Sequence, residues 1–104
     1  MKAAFFRRHG GPEVLEVGEV PEPVVAAGTV IVRVRAVSVN HLDLWTRRGI
    51  PGLNLELPHI LGSDAAGVIE AVAPDVEGWN PGDRVVINAA LSCGICDFCQ
   101  AGDE

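Results

Sequence analysis

Apolar and polar positions alternate most regularly from Thr29 to Val39. Val30, Val32, Val34 and Ala36 share one parity there, and Ile31, Arg33, Arg35 and Val37 share the other. A period of two marks a β-strand, and the two arginines put the second parity on a solvated face. A second strand is expected over Ala65–Val72, apolar except at Gly67 and Glu70. Glycine inside a strand predicts a bulge or a close approach of another backbone. Val85-Val86-Ile87 forms a third apolar run after Pro81-Gly82-Asp83, and Pro74–Gly82 between them collects turn formers, with Trp79 expected to anchor packing. At the other end, Lys2–Arg8 reads as a strand stopped by His9-Gly10-Gly11-Pro12, and Val14–Glu19 reads as its hairpin partner. Pro21-Glu22-Pro23 is an extended break that no helix tolerates.

The pattern turns helical between Asn40 and Gly49. Asn40 is a suitable N-cap and Asp43 adds negative charge to the first turn. Leu42 and Trp45, three apart, are expected to share a buried face, and Gly49 with Pro51-Gly52 ends the helix. Pro58 closes the next segment, and Gly62-Ser63-Asp64 makes a small polar turn into the second long strand. His9 and His59 have no spacing partner that makes a ligand pair, so both read as turn residues. The expected fold class is mainly β with one short helix.

Composition narrows the classes. A chain of 104 residues is at most one domain, able to bury roughly 60–70% of its unfolded surface. Seven prolines and twelve glycines fit a turn-rich β fold, and 48% hydrophobic content excludes disorder. A net charge of −6 argues against a nucleic-acid surface, and the acidic excess serves solubility. No stretch approaches the roughly 18 apolar residues that span a membrane. Ala3-Ala4-Phe5-Phe6 is cut off by Arg7-Arg8 before it could make a secretory leader. Three clustered cysteines do not make a disulfide framework and suit a reducing, cytoplasmic setting.

Those cysteines, Cys93, Cys96 and Cys99, follow a C-x2-C-x2-C spacing that points to a metal. The bacterial iron–sulfur pattern needs a fourth cysteine after three more residues, then proline. Asp103 and Glu104 stand at those places, so that pattern fails.

GSDAAGVIEAV followed by GWNPGDRV, together with the opening MKAAF and GGPEVL, resembles the catalytic domain of the medium-chain dehydrogenase/reductase superfamily. That superfamily includes the zinc-type alcohol dehydrogenases and their quinone-reductase relatives. The resemblance implies a GroES-like, partly open barrel with a cysteine-rich zinc lobe, an NAD(P) cofactor, and an assembly of identical subunits. It also implies that residues 1–104 are the N-terminal portion of the catalytic domain. The remainder and a nucleotide-binding domain would then follow Glu104, because nothing here resembles a G-x-G-x-x-G phosphate turn. The portion by itself is therefore expected to be inactive.

The same resemblance assigns site residues. Cys93, Cys96 and Cys99, with Gly102 in place, are similar to the structural zinc lobe, whose fourth cysteine would lie just past Glu104. The zinc alcohol dehydrogenases hold a catalytic zinc with a cysteine after the long strand and a histidine in the G-H-E turn; here those places hold Asn40 and Ser63. A neutral amide and a hydroxyl bind zinc weakly, and the single carboxylate of Asp64 does not make a site. Leu42 and Trp45 occupy the places of the proton-relay hydroxyl and histidine. Ser38, Asn40 and Asp43 form the S-x-N-x-x-D pattern that resembles the zinc-independent reductases.

By resemblance, Asn40, Ser63 and Asp64 form the catalytic group. Asn40 donates a hydrogen bond beside the nicotinamide and Asp64 fixes the turn. His41 and Asp43 belong to the cofactor side, with His41 near the phosphates. Asn40 also reads as a plain helix cap, a role that can coexist with the first, and Asp43 also reads as a first-turn helix charge. The function implied is hydride transfer to a quinone, enone or similar carbonyl acceptor without catalytic zinc. One alternative is a zinc-dependent alcohol dehydrogenase. Another is a non-enzymatic zinc-binding or chaperonin-like β-barrel, which would need a mobile hydrophobic binding loop that the sequence lacks.

Overall fold

The structure, a computed structural model, describes residues 1–90 and 92–103. Strand β1 (Lys2–Phe6) lies between β2 (Leu15–Glu19) and β4 (His59–Ile60), antiparallel to both. The predicted hairpin is present, with a 3-10 turn over Pro12–Val14 between its strands. As the central strand β1 has both edges paired, and Phe5 and Phe6 near its end are buried in succession although they point to opposite faces. Each buried phenylalanine contributes about 1.5–3 kcal/mol. The Phe6 ring packs against His9 and His59, with centroids 5.5 and 5.6 Å away. Both histidines are thus core neighbours, and His59, expected in a turn, lies in strand β4 paired with Phe6.

Helix α1 (His41–Arg48) begins and ends where the sequence predicts, but buries a different face. Asp43, Thr46 and Arg47 are buried, whereas Leu42 is exposed and Trp45 keeps 55% of its surface. Hydrogen bonds choose the face. The Gly10 N–H donates to the Arg47 carbonyl at 3.0 Å, and Arg47 Nε donates back to the Gly10 carbonyl at 3.2 Å. His9 Nδ1 donates to the Thr46 carbonyl at 3.1 Å. The end of the helix has carbonyls without intrahelical partners, and the His9-Gly10 loop satisfies them. That requirement outweighs burial of Leu42 and Trp45.

The second sheet contains β3 (Val30–Ser38), β5 (Asp64–Val72) and β6 (Arg84–Val86), in the order β3-β5-β6 and all antiparallel. Arg33 and Arg35 are exposed as expected, with Arg33 paired to Glu70 across the ladder. Register shifts fall between Ile31 and Val32 and between Val34 and Ala36. Gly67 sits opposite Val34 at the second shift, where a Cβ would stand 2.3 Å from the Arg33 carbonyl oxygen. The close approach that glycine predicts is therefore present.

Among the described residues the two sheets stay open. The outer edges of β3 and β6 do not meet, so no closed ladder forms, and the architecture is mainly β, as expected, with open sheets not closed into a barrel. Val34, Val37, Val39 and Val86 are exposed around the free edges. Trp79 is 51% exposed and does not anchor the Pro74–Gly82 loop. A second short helix, α2 (Asp97–Ala101), lies among the cysteines. No helix among the described residues is long and apolar enough to cross a membrane.

Gly67→Ala is expected to destabilise the protein by about 2–3 kcal/mol, read by urea unfolding. The obstructing atom is backbone and cannot move aside, so a loss below about 0.5 kcal/mol would contradict this reading.

Candidate functional site

Pairing of β3 with β5 sets Ser38 directly opposite Asp64. The Ser38 hydroxyl donates to Asp64 Oδ2 at 2.9 Å. Asn40 lies just past the end of β3 as the extended N-cap of α1, with φ −115° and ψ 164°. Its side-chain nitrogen donates to the same Oδ2 at 2.7 Å. An N–H and an O–H thus converge on one carboxylate oxygen. These donors, Asn40 first and Ser38 second, hold the Asp64 carboxyl below the usual aspartate range against a weaker opposing effect of burial.

The cap itself comes from Asp43. Its carboxylate accepts from the Asn40 backbone N–H at 2.7 Å, and it is only 7% exposed. In return the Asn40 side-chain oxygen faces the Asp43 N–H in a capping-box arrangement, while that N–H bonds directly to the Asn40 carbonyl at 3.1 Å. Asp43 therefore serves the helix start first. His41, the first residue of α1, is exposed, with its ring centroid 6.1 Å from that of Trp45. Ser63 follows Gly62, whose φ of 122° suits glycine, and is half-buried. Its hydroxyl makes no hydrogen bond among the described residues, so Ser63 stands in the chain beside Asp64 without joining its network.

Ser38 and Asp64 form the polar corner of an open cavity of about 490 Å³, otherwise lined by Ala36, Val37, Ala65, Ala66, Val86 and Ile87. Sequence reading placed Ser38 in a motif without giving it a partner. The missing signal was the strand register, which joins positions 26 residues apart.

The cysteines make a separate centre. The sulfurs of Cys93, Cys96 and Cys99 lie within 4.8 Å of one another. Cys99 Sγ is 3.6 Å from Cys93 Sγ and 3.4 Å from Cys96 Sγ. Backbone N–H groups of Ile95 and Cys96 point at Cys93 Sγ and, with the neighbouring thiols, lower its thiol to about 7. Cys99 is also lowered, chiefly by the Cys96 thiol and then by the Gly94 N–H. Gly94 (φ 71°) lets the chain turn within the cluster, and Gly102 (φ 74°) ends α2. Three soft sulfur donors on one side fit a thiophilic ion such as zinc.

Residues 26–104 match the family described as the alcohol dehydrogenase GroES-like domain. An alcohol dehydrogenase of Geobacillus stearothermophilus is 42% identical over 105 aligned positions, covering 100% of this chain and 31% of that protein. A quinone oxidoreductase of Mus musculus is 36% identical, with 100% and 32% covered. The solved structure of an NAD-dependent alcohol dehydrogenase superposes with a TM-score of 0.88 at 52% identity, over 99% of this chain and 30% of that one. The chain therefore spans about a third of the length of the curated relatives it matches.

In the metal-free protein, iodoacetamide is expected to label Cys93 with a pH midpoint of about 7, because the thiolate is the reacting form and falls away below that pH. Added zinc should block the labelling. A midpoint in the ordinary thiol range, or labelling indifferent to zinc, would contradict the geometry.

Proposed function

Because the chain belongs to the alcohol dehydrogenase GroES-like domain family, within the medium-chain dehydrogenase/reductase superfamily, we propose that it is the N-terminal part of the catalytic domain of an NAD(P)-dependent oxidoreductase. When bound, the reduced nicotinamide supplies hydride for a quinone, an enone or a similar carbonyl acceptor. Asn40 gives the acceptor oxygen a neutral hydrogen-bond donor at the place where zinc enzymes of this superfamily bring a metal ligand. Positioned donors of this kind stabilise charge as it develops on oxygen. Asp64 holds that amide, Ser63 shapes the turn leading into it, and Asp43 fixes the helix start that carries Asn40 and His41. His41 is exposed and free to meet the cofactor phosphates.

The observation that carries this reading is the 2.7 Å bond from Asn40 to Asp64 Oδ2. A carboxylate oxygen engaged by two N–H and O–H donors is a poor metal ligand, and the amide nitrogen facing it has no lone pair to offer. The donor set at Asn40 and Ser63 does not fit a catalytic zinc. Cys93, Cys96 and Cys99 are the residues that hold a structural zinc, with a fourth ligand from elsewhere in the parent protein. Such an ion ties down a segment with little apolar burial of its own. A small-molecule acceptor, an assembly of identical subunits and a cytoplasmic setting complete the proposal.

A second reading, an alcohol dehydrogenase with catalytic zinc, draws on the similarity to the Geobacillus enzyme and is opposed by Asn40 and Ser63. In the full-length protein, Asn40→Ala is expected to lower kcat for quinone or enone reduction about a hundredfold. The KM for the nicotinamide nucleotide should stay essentially unchanged. A kcat within about twofold of wild type would remove Asn40 from the chemistry and with it this reading.

A further inference from the structure

We infer that Ser38 is a positioning residue for Asn40, acting through Asp64, an inference that rests on the function proposed above. A side-chain amide has two ends of nearly equal size and opposite hydrogen-bonding character. Its orientation is set by neighbours that can tell donor from acceptor. An ionised carboxylate accepts only, so the nitrogen of Asn40 must face Asp64, as it does at 2.7 Å. The Asn40 oxygen faces the Asp43 N–H on the other side. This leaves one N–H of the amide uncommitted, the donor the reaction needs.

Asp64 can impose that orientation only if its own carboxylate is held still. Ser38 does this from the directly opposed position on β3, donating to the same Oδ2 at 2.9 Å. Hydrogen bonds to an ionised acceptor are about twice as strong as neutral ones, so one hydroxyl is enough to favour a single carboxylate rotamer. Without it, Asp64 keeps the amide contact but gains freedom to swing, and the uncommitted N–H of Asn40 swings with it.

Three variants of the full-length protein test this. Ser38→Ala removes the hydroxyl, and Ser38→Thr keeps it on a side chain that suits a strand. Asp64→Asn keeps the shape but offers both a donor and an acceptor, so Asn40 can sit either way round. Two readouts apply: steady-state reduction of a quinone by NAD(P)H, and the side-chain amide NMR signals of Asn40 in selectively 15N-asparagine-labelled protein.

Ser38→Ala and Asp64→Asn should each lower kcat about tenfold, with the nucleotide KM unchanged. In both, the paired Asn40 amide proton signals should move toward each other. Ser38→Thr should restore both readouts. Unchanged Asn40 signals in Ser38→Ala would overturn the inference whatever the activity, and so would altered signals with unchanged kcat. If the wild-type protein transfers no hydride, the function proposed above fails, while the amide signals still decide whether Ser38 orients Asn40.

Discussion

The antiparallel pairing of β3 with β5 is the constraint on which the rest of this protein depends. It is the long ladder of the second sheet, and its register sets Ser38 against Asp64. That register includes two shifts, and Gly67 at the second lets the Arg33 carbonyl approach closer than any Cβ allows. Because side chains alternate across a strand, a slip of one residue would send Asp64 to the opposite face. Asn40 would then lose its partner, and α1 would start without its link to the sheet. The polar corner is thus a product of backbone geometry some distance from it.

At that corner, the sheet and the start of the helix are tied together through Asn40. Asn40 and Ser38 donate to the Asp64 carboxylate and hold it below the usual aspartate range, and an acceptor-only carboxylate fixes which way Asn40 faces. Asp43 does a parallel service on the backbone side, where its carboxylate takes the Asn40 N–H. Two carboxylates therefore hold Asn40, Asp64 at its side-chain amide and Asp43 at its backbone N–H. A metal-binding pocket needs lone pairs turned inward. This pocket turns one N–H and one O–H toward its carboxylate instead.

Periodicity carried the outline of the fold, because strand alternation, glycine in a strand and proline–glycine turns are local signals. The long strands and the helix lie within a residue or two of where Thr29–Val39, Ala65–Val72 and Asn40–Gly49 place them. The face of α1 was not readable, since Leu42 and Trp45 look like the buried pair. The face is decided by Gly10 and His9, more than 30 residues away, binding the end of the helix. Trp79 misled for a related reason: an aromatic ring in a loop carries no record of what, if anything, covers it. The site was half visible. Asn40, Asp43, Asp64 and the cysteines stood out as residue types in a motif, while the bond from Ser38 to Asp64 needs a register with two shifts that no local pattern encodes.

On the function proposed, this chain separates two tasks that the zinc alcohol dehydrogenases perform with metal. Its thiols form a converging trio suited to an ion, and its Asn40 corner is closed by its own hydrogen bonds. Anomalous scattering at the zinc edge from crystals of the full-length protein grown with zinc tests this separation most directly. The account predicts a peak among Cys93, Cys96 and Cys99 and none within bonding distance of Asn40, Ser63 or Asp64. A zinc peak bonded to Asp64, with the Asn40 amide turned away from it, would contradict it.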